Sequence, residues 1–286
     1  MIPTTFTSWS AVQPNLNVTV DGISQSAADT FTVDGFTGDI KVTGTGSFSA
    51  VENASATLSF DSNRELRSLS ISTPSASVSW NTVRPGNSIV CNAGLCAADN
   101  ATGSGIVADP YDLSLGWNYQ TFGVWSYETD GTVSPRTGNI GTMSIGARTP
   151  ANAIPRTGTA VLYSGRAAGF YINGAGEPFV TGANMSALVD FENRIVQFST
   201  TATHLTDLNN PGLPLLDASL NLSGTLTYSP GSNQFTGNDV RTASQTLIGE
   251  ATGSFYGPAA QEIGGIYNLK GTGLVEAMTG GFGGKR

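Results

Sequence analysis

The chain holds a single histidine, His204, in the stretch TTATHLTDLNNPG. A serine–histidine–aspartate relay would have to recruit it, and Asp207 lies only three residues further on. The nucleophile-elbow pattern Gly-x-Ser-x-Gly is absent, as are the metalloprotease, P-loop and complete dinucleotide-binding patterns. Paired carboxylates suited to glycosidase work are offered by Asp109 with Asp112, or Glu128 with Asp130, but these read first as solvated loop and strand-end groups. Asp99, Asp109 and Asp112 would give calcium oxygen ligands, without the regular aspartate spacing of a calcium loop. The sequence therefore predicts a protein that is not an enzyme.

Two cysteines lie five apart in VCNAGLCAADN. A metal site would need two more ligands, and the chain has no third cysteine and one histidine to supply them. A Cys91–Cys96 disulfide is expected, and with it an oxidising compartment. No cofactor is required by any motif. Haem is the one small ligand with candidate axial groups, His204 or a tyrosine such as Tyr119 or Tyr127, set against the plainer reading of His204 as a solvated loop residue. The densest aromatic segment is YDLSLGWNYQTFGVWSYETDG. Leu113, Leu115, Trp117 and Tyr119 alternate as on a strand, then the register shifts, and most of the rings are expected in a core. Phe122, Trp125 and Tyr127, beyond the shift, are the candidates for an exposed aromatic anchor to a protein partner.

The elements that must position these groups are strands. Alternation of period two dominates, and amphipathic helical periodicity is nearly absent. ATLSFDSNRELRSLSIST predicts a hairpin, with Ala56, Leu58 and Phe60 leading into the turn and Leu66, Leu69 and Ile71 leading out. SALVDFENRIVQFSTTAT repeats the plan around Glu192-Asn193-Arg194, with asparagine supplying the positive φ of a tight turn. Between them RTPANAIPRTGTA holds two prolines among small residues and predicts a boundary near residue 153, giving domains 1–153 and 154–286. The second half shows eight or nine short strands with glycine-rich turns, as in an up-and-down barrel that closes on itself. Phe170, Leu188, Phe198, Leu226 and Phe255 are expected to fill it. In GSFYGPAAQEIGGIYNL, Pro258 to Glu262 is expected to make one helical turn between two strands, and Gly264-Gly265 to pass a bulky neighbour.

Composition bounds the partner. Thirteen basic residues face 21 acidic ones, net −8, with three lysines and no basic run, so neither nucleic acid nor an anionic membrane surface is expected. No stretch approaches the ~18 apolar residues of a transmembrane helix. The opening MIPTTFTSWS lacks a basic and then apolar leader pattern, so no signal peptide is expected in it.

The chain resembles the transferrin-binding lipoprotein B-like, solute-binding surface proteins of Gram-negative bacteria. The motifs that carry the likeness are GSFYGPAAQEIGG at 253–265 and GGFGGKR at 280–286, supported by IPRTGTAVLYSGRAAGFY at 154–171 and VDFENRIVQFST at 189–200. YQTFGVW at 119–125 and FTSWSAV extend it weakly into the first half. The resemblance implies an all-β protein: a β-sandwich-like handle followed by an eight-stranded antiparallel β-barrel. It also implies a location that is extracellular or on the outer-membrane surface, and capture of a host protein or of an iron or haem source. Two departures are visible: no lipobox cysteine stands near the start, and the loops look short and poor in charge. The alternatives are a structural or adhesive component that self-associates, and a carrier of a small apolar ligand inside the barrel.

Overall fold

The computed structural model describes residues 6–132 and 134–286; residues 1–5, half of the opening stretch read for a leader, lie outside them. Ten strands make the first sheet: β1 (Asn17–Val33), β2 (Ile40–Thr45), β3 (Glu52–Phe60), β4 (Leu66–Ser72), β5 (Ser77–Asn81), β6 (Ser88–Asn92), β7 (Leu95–Asn100), β8 (Gly103–Ala108), β9 (Gln120–Asp130) and β10 (Arg136–Gly146). Its hydrogen-bonded order is β5-β4-β3-β1-β10-β9-β8-β7-β6, with β2 added to β1. The 17-residue β1 is the spine. Its first half pairs with β3, its last residues with β2, and its other edge with β10 from Gly22 to Phe31. The sheet curls until its edges β5 and β6 approach each other. Its inner face closes on Trp9, Phe60, Leu69, Trp80, Trp125 and Met143, the sandwich-like handle.

The second half forms β11 (Val161–Ile172), β12 (Pro178–Asp190), β13 (Ile195–Asp207), β14 (Leu215–Leu216), β15 (Leu222–Thr227), β16 (Gln234–Thr242), β17 (Ile248–Tyr256), β18 (Glu262–Lys270) and β19 (Ala277–Lys285). Each long strand pairs with the next in sequence, β12 pairs with β13, and β19 returns to β11. This closes eight antiparallel strands into an up-and-down barrel, with the two-residue β14 laid on β13. An eight-stranded barrel is just wide enough for side chains to fill. Phe198 and Phe282 pack at 4.6 Å, and Phe191, Tyr228 and Phe235 surround Phe255 at 5.3–5.4 Å. The lumen is a packed aromatic core, which leaves an apolar cargo no room there.

Of the five side chains expected inside, Phe198, Leu226 and Phe255 are there. Phe170 and Leu188 are not. The inward parity of β11 runs through Tyr163, Ala167 and Tyr171, and that of β12 through Met185, Ala187 and Val189. Phe170 therefore faces the handle, and Leu188 stays 39 % exposed on the outer wall.

Both expected hairpins form, with Ala56, Leu58, Phe60, Leu66, Leu69 and Ile71 all buried. The left-handed residue in each turn is the arginine, Arg64 at φ 68° and Arg194 at φ 59°, one position beyond the expected asparagine. The asparagine N–H is instead held by an aspartate: Asn63 donates to Asp61 (2.8 Å) and Asn193 to Asp190 (2.9 Å). The alternating run Leu113–Tyr119 is not a strand. Asp112 accepts from the Ser114 N–H at 2.7 Å and Gly116 turns at φ 59°, so Leu113 points into solvent while Leu115 and Trp117 are buried. Residues 257–260 make a turn rather than a helical one, with Gly257 at φ 83° and Ala260 at φ 57°.

Candidate binding surface

The handle sheet lies flat on the barrel wall, β9 and β10 against β18 and β19. Close approach requires one surface without side chains. The wall supplies it through the terminal glycines: a Cβ on Gly281 would sit 2.6 Å from the Phe122 ring, and one on Gly264 would sit 2.8 Å from Gln120 Oε1. Phe122, Val124, Trp117 and Leu115 of the handle pack there with Ala168 and Phe170 of β11. A second apolar cluster joins Ala27, Val42 and Ile140 to Ile172.

Glu262, the acidic residue of the GPAAQEIGG stretch, clamps this seam. Its carboxylate accepts the backbone N–H groups of Asn118 (2.6 Å), Tyr119 (2.9 Å) and Gln120 (3.1 Å) where the handle chain enters β9. Burial raises its pKa to about 6, and the three N–H bonds and Lys285 oppose that shift. Tyr256 Oη meets Ser144 Oγ at 2.9 Å, and Thr149 donates to the Gly257 carbonyl at 2.6 Å. A buried relay completes the join: Thr279 donates to Asn268 (2.6 Å), Asn268 to Gln25 (2.9 Å) and Gln25 to Glu250 (2.6 Å). Asp29 is buried on β1 with Oδ1 unpartnered among the described residues, and burial lifts its pKa to about 7.

The seam decides the fate of the aromatic candidates. Phe122, 1 % exposed, lies between the two sheets, and Trp125, 0 % exposed, lies in the handle core. Neither can touch a partner; β9 is covered by the barrel on one face and by the handle interior on the other. Tyr127 is half-buried with its ring 5.8 Å from Trp125, and Tyr119 lies over Gly257 at the seam. Cys91 and Cys96 are disulfide-bonded directly across the β6–β7 hairpin, whose Ala93-Gly94 turn has positive φ at both residues. Asp109 lies beside the sulfurs, which as a disulfide offer no thiolate to a metal.

The other carboxylates are occupied locally. Asp99 accepts from Ser104 (2.7 Å), Asp109 from the Tyr111 N–H (3.0 Å), and Asp130 from the Thr132 N–H (2.8 Å). Glu128 pairs with Arg136 at 3.0 Å. His204 stands half-buried on β13 over Gly182, with no side-chain hydrogen bond among the described residues. Two open grooves are present. One, about 280 Å³, lies between Phe48 and the Glu250–Lys270 face of the barrel. The other, about 410 Å³, lies on the wall at Ser223–Thr225 and Arg241, where β15 and β16 lose their pairing. His204, Tyr119 and Tyr127 line neither.

Exposed apolar side chains stand singly on the handle, at Leu16, Val83, Val90 and Leu113, and several more lie on loops at one end of the barrel. There the β1–β2 hairpin reaches across from the handle to three barrel loops. The Val42 N–H donates to the Gly176 carbonyl (2.8 Å), Asn209 makes two hydrogen bonds with the Ile40 backbone (2.7 and 2.8 Å), and the Thr45 N–H donates to the Leu274 carbonyl (3.1 Å). On this tied frame Phe36 is 98 % exposed and Leu213 96 %, with Leu215, Leu216 and Leu274 also largely exposed. Five exposed apolar side chains on loops tied to one another make this end the candidate interaction surface. Sequence reasoning missed it, because these residues sit singly in turns and show no periodicity.

No curated protein matches the chain. Among solved structures it is similar to a mutant of transferrin binding protein B from Haemophilus parasuis Hp5, at 11 % identity and TM-score 0.42 over 95 % of this chain and 76 % of that one. It is also similar to intact Ap-TbpB with its N and C lobes (13 %, TM-score 0.41, 95 % and 77 %). A third is isotype 1 transferrin binding protein B from serogroup B Neisseria meningitidis (15 %, TM-score 0.41, 84 % and 53 %). At these scores the likeness carries no argument. The closed meander and a family match do: the family described as the C-lobe and N-lobe beta barrels of Tf-binding protein B matches residues 154–286, the whole of the second sheet. The likeness to the Tf-binding protein B β-barrels is carried by residues 154–286, the closed barrel.

Proposed function

We propose that the chain is a non-enzymatic binding protein at the outer-membrane surface of a Gram-negative bacterium, or released from it, and that it captures a host protein with the loop end of the barrel. The observation that carries this reading is the exposure of Phe36, Leu213, Leu215, Leu216 and Leu274 on loops that the handle and barrel hold together. Burying such side chains against a partner is worth roughly 1.5–3 kcal/mol each, and the hydrogen-bonded frame lowers the ordering cost of binding. The family match of the barrel supports an iron-carrying host protein as the first partner to try.

The test is retention of serum transferrin, with haemoglobin and free haem as parallel arms, by the immobilised chain and by a variant carrying Phe36→Ser, Leu213→Ser and Leu216→Ser. Binding by the wild type that the variant loses is the expected result. Binding that survives the three substitutions contradicts the assignment of the surface. A Soret band on haem addition with no protein bound would contradict protein capture.

A further inference from the structure

We infer that the partner presents basic side chains around an apolar contact, because the loop end is acidic as well as apolar; this deepens the capture reading above and rests on it. That end is formed by 34–41 of the β1–β2 hairpin, the barrel loops 173–177, 207–217 and 271–276, and the uncharged β16–β17 turn 243–247. They hold six carboxylates, Asp34, Asp39, Glu177, Asp207, Asp217 and Glu276, against one cation, Lys41. The nearby Lys270 is turned inward, its ammonium donating to the carbonyls of Thr45 and Gly46. The loops are therefore not poor in charge, as the sequence suggests; at this end they are poor in positive charge.

The carboxylates are fixed as well as numerous. Asp34 accepts the Phe36 and Thr37 N–H groups at 2.8 Å each, Asp207 the Asn209 N–H at 2.8 Å, and Asp217 the Ser219 N–H at 2.9 Å. The two backbone bonds hold the Asp34 carboxyl below the usual carboxylate range, so it stays charged. The Asp34 bonds also set the turn that presents Phe36, and Asp217 follows the exposed Leu216 directly. The opposite end of the barrel is the reverse. Arg148, Arg156, Arg194, Lys285 and Arg286 are exposed there against Asp190 and Glu192. A body with one acidic and one basic end orients an approaching charged partner, and the acidic end selects a cationic surface.

The probes are a Lys/Leu amphipathic peptide and a Glu/Leu peptide of equal length and leucine content. Each is titrated into the full chain at low and at physiological ionic strength, with hydrogen exchange locating the contact. The Lys/Leu peptide is expected to bind about tenfold more weakly at the higher salt and to protect 34–41 and 207–217. Binding is expected to fall about tenfold again in a variant carrying Asp34→Asn, Asp39→Asn, Asp207→Asn and Asp217→Asn, in which the amide oxygens at 34, 207 and 217 still accept the turn hydrogen bonds. Equal binding of the two peptides, protection elsewhere, or salt-insensitive binding overturns the inference. So does a chain that forms head-to-tail oligomers abolished by the same asparagines, since the occupant would then be the basic end of a second copy. If the Lys/Leu peptide behaves as expected while no serum protein is retained, the capture reading fails and the surface chemistry stands. If a serum protein is retained through these loops without salt dependence, the reverse holds.

Discussion

The barrel meets its surroundings in two contrasting ways. Along β18 and β19 its wall is glycine-dense, buried and joined to the handle by Glu262, Tyr256 and Asn268. At its loop end the chain is leucine-bearing, acidic and open. The segments most recognisable in the sequence, 253–265 and 280–286, belong to the first region. Glu262 and the glycines Gly257, Gly264, Gly281 and Gly283 are required by the handle that lies against them. Gly253, Gly265, Gly280 and Gly284 make room for the barrel's own Phe235, Phe282, Tyr267 and Met185, so the signature marks the packing of this wall on both faces. The second region needs no fixed backbone approach and carries no signature, although it holds the surface suited to a partner.

The largest break to this contrast should come from the seam. Glu262→Ala orphans one buried and two part-buried N–H groups at roughly 1–2 kcal/mol each, the lower part of the usual range, so urea unfolding should show a loss of about 3–6 kcal/mol; an unchanged midpoint would remove the clamp. The next effect is pH-dependent. Asp29 and Glu262 both have folded pKa values above their unfolded ones, about 7 against 3.8 and about 6 against 4.5. Their contribution is fully present below the unfolded values and is lost as pH rises through the folded ones. At about 1.4 kcal/mol per pKa unit, Asp29 alone costs about 4 kcal/mol by pH 8. Stability should therefore fall from pH 5 to pH 8, and Asp29→Asn should flatten most of that slope; a parallel slope in the variant would exonerate Asp29.

Replacing Cys91 and Cys96 by serine should cost less, about 2 kcal/mol, because the closed loop is short. It should leave peptide or protein capture at the loop end unchanged. Smallest of all is the effect of the loop end on folding. Phe36→Ser with Leu213→Ser should move stability by less than about 0.5 kcal/mol while weakening partner binding. A large stability loss would mean that these side chains are packed in solution.

Much of the fold was legible because period-two alternation is a direct consequence of strand geometry. It fixed both hairpins and the barrel meander. It failed where both faces of a strand are covered: on β11, Ala167 and Ala168 are both buried, one in the lumen and one in the seam, so Phe170 gave no sign of its side. It also failed at Leu113–Tyr119, where Asp112 and Gly116 impose turns on an alternating pattern. The role of Glu262 was invisible because the N–H groups it accepts lie 142–144 residues earlier in the chain. Residue type alone points to Phe122 and Trp125 as anchors; Trp125 is buried in the handle's own core and Phe122 by the contact with the barrel, which no local pattern encodes.

Native-state hydrogen exchange on the full chain puts both regions into one measurement. The amides of Asn118, Tyr119 and Gln120 should exchange only when the whole protein unfolds, and those of residues 35–40 and 210–216 far sooner. If the 118–120 amides exchange as fast as the loops, the two halves are not fastened at Glu262, and the separation between a docking wall and a free binding end collapses.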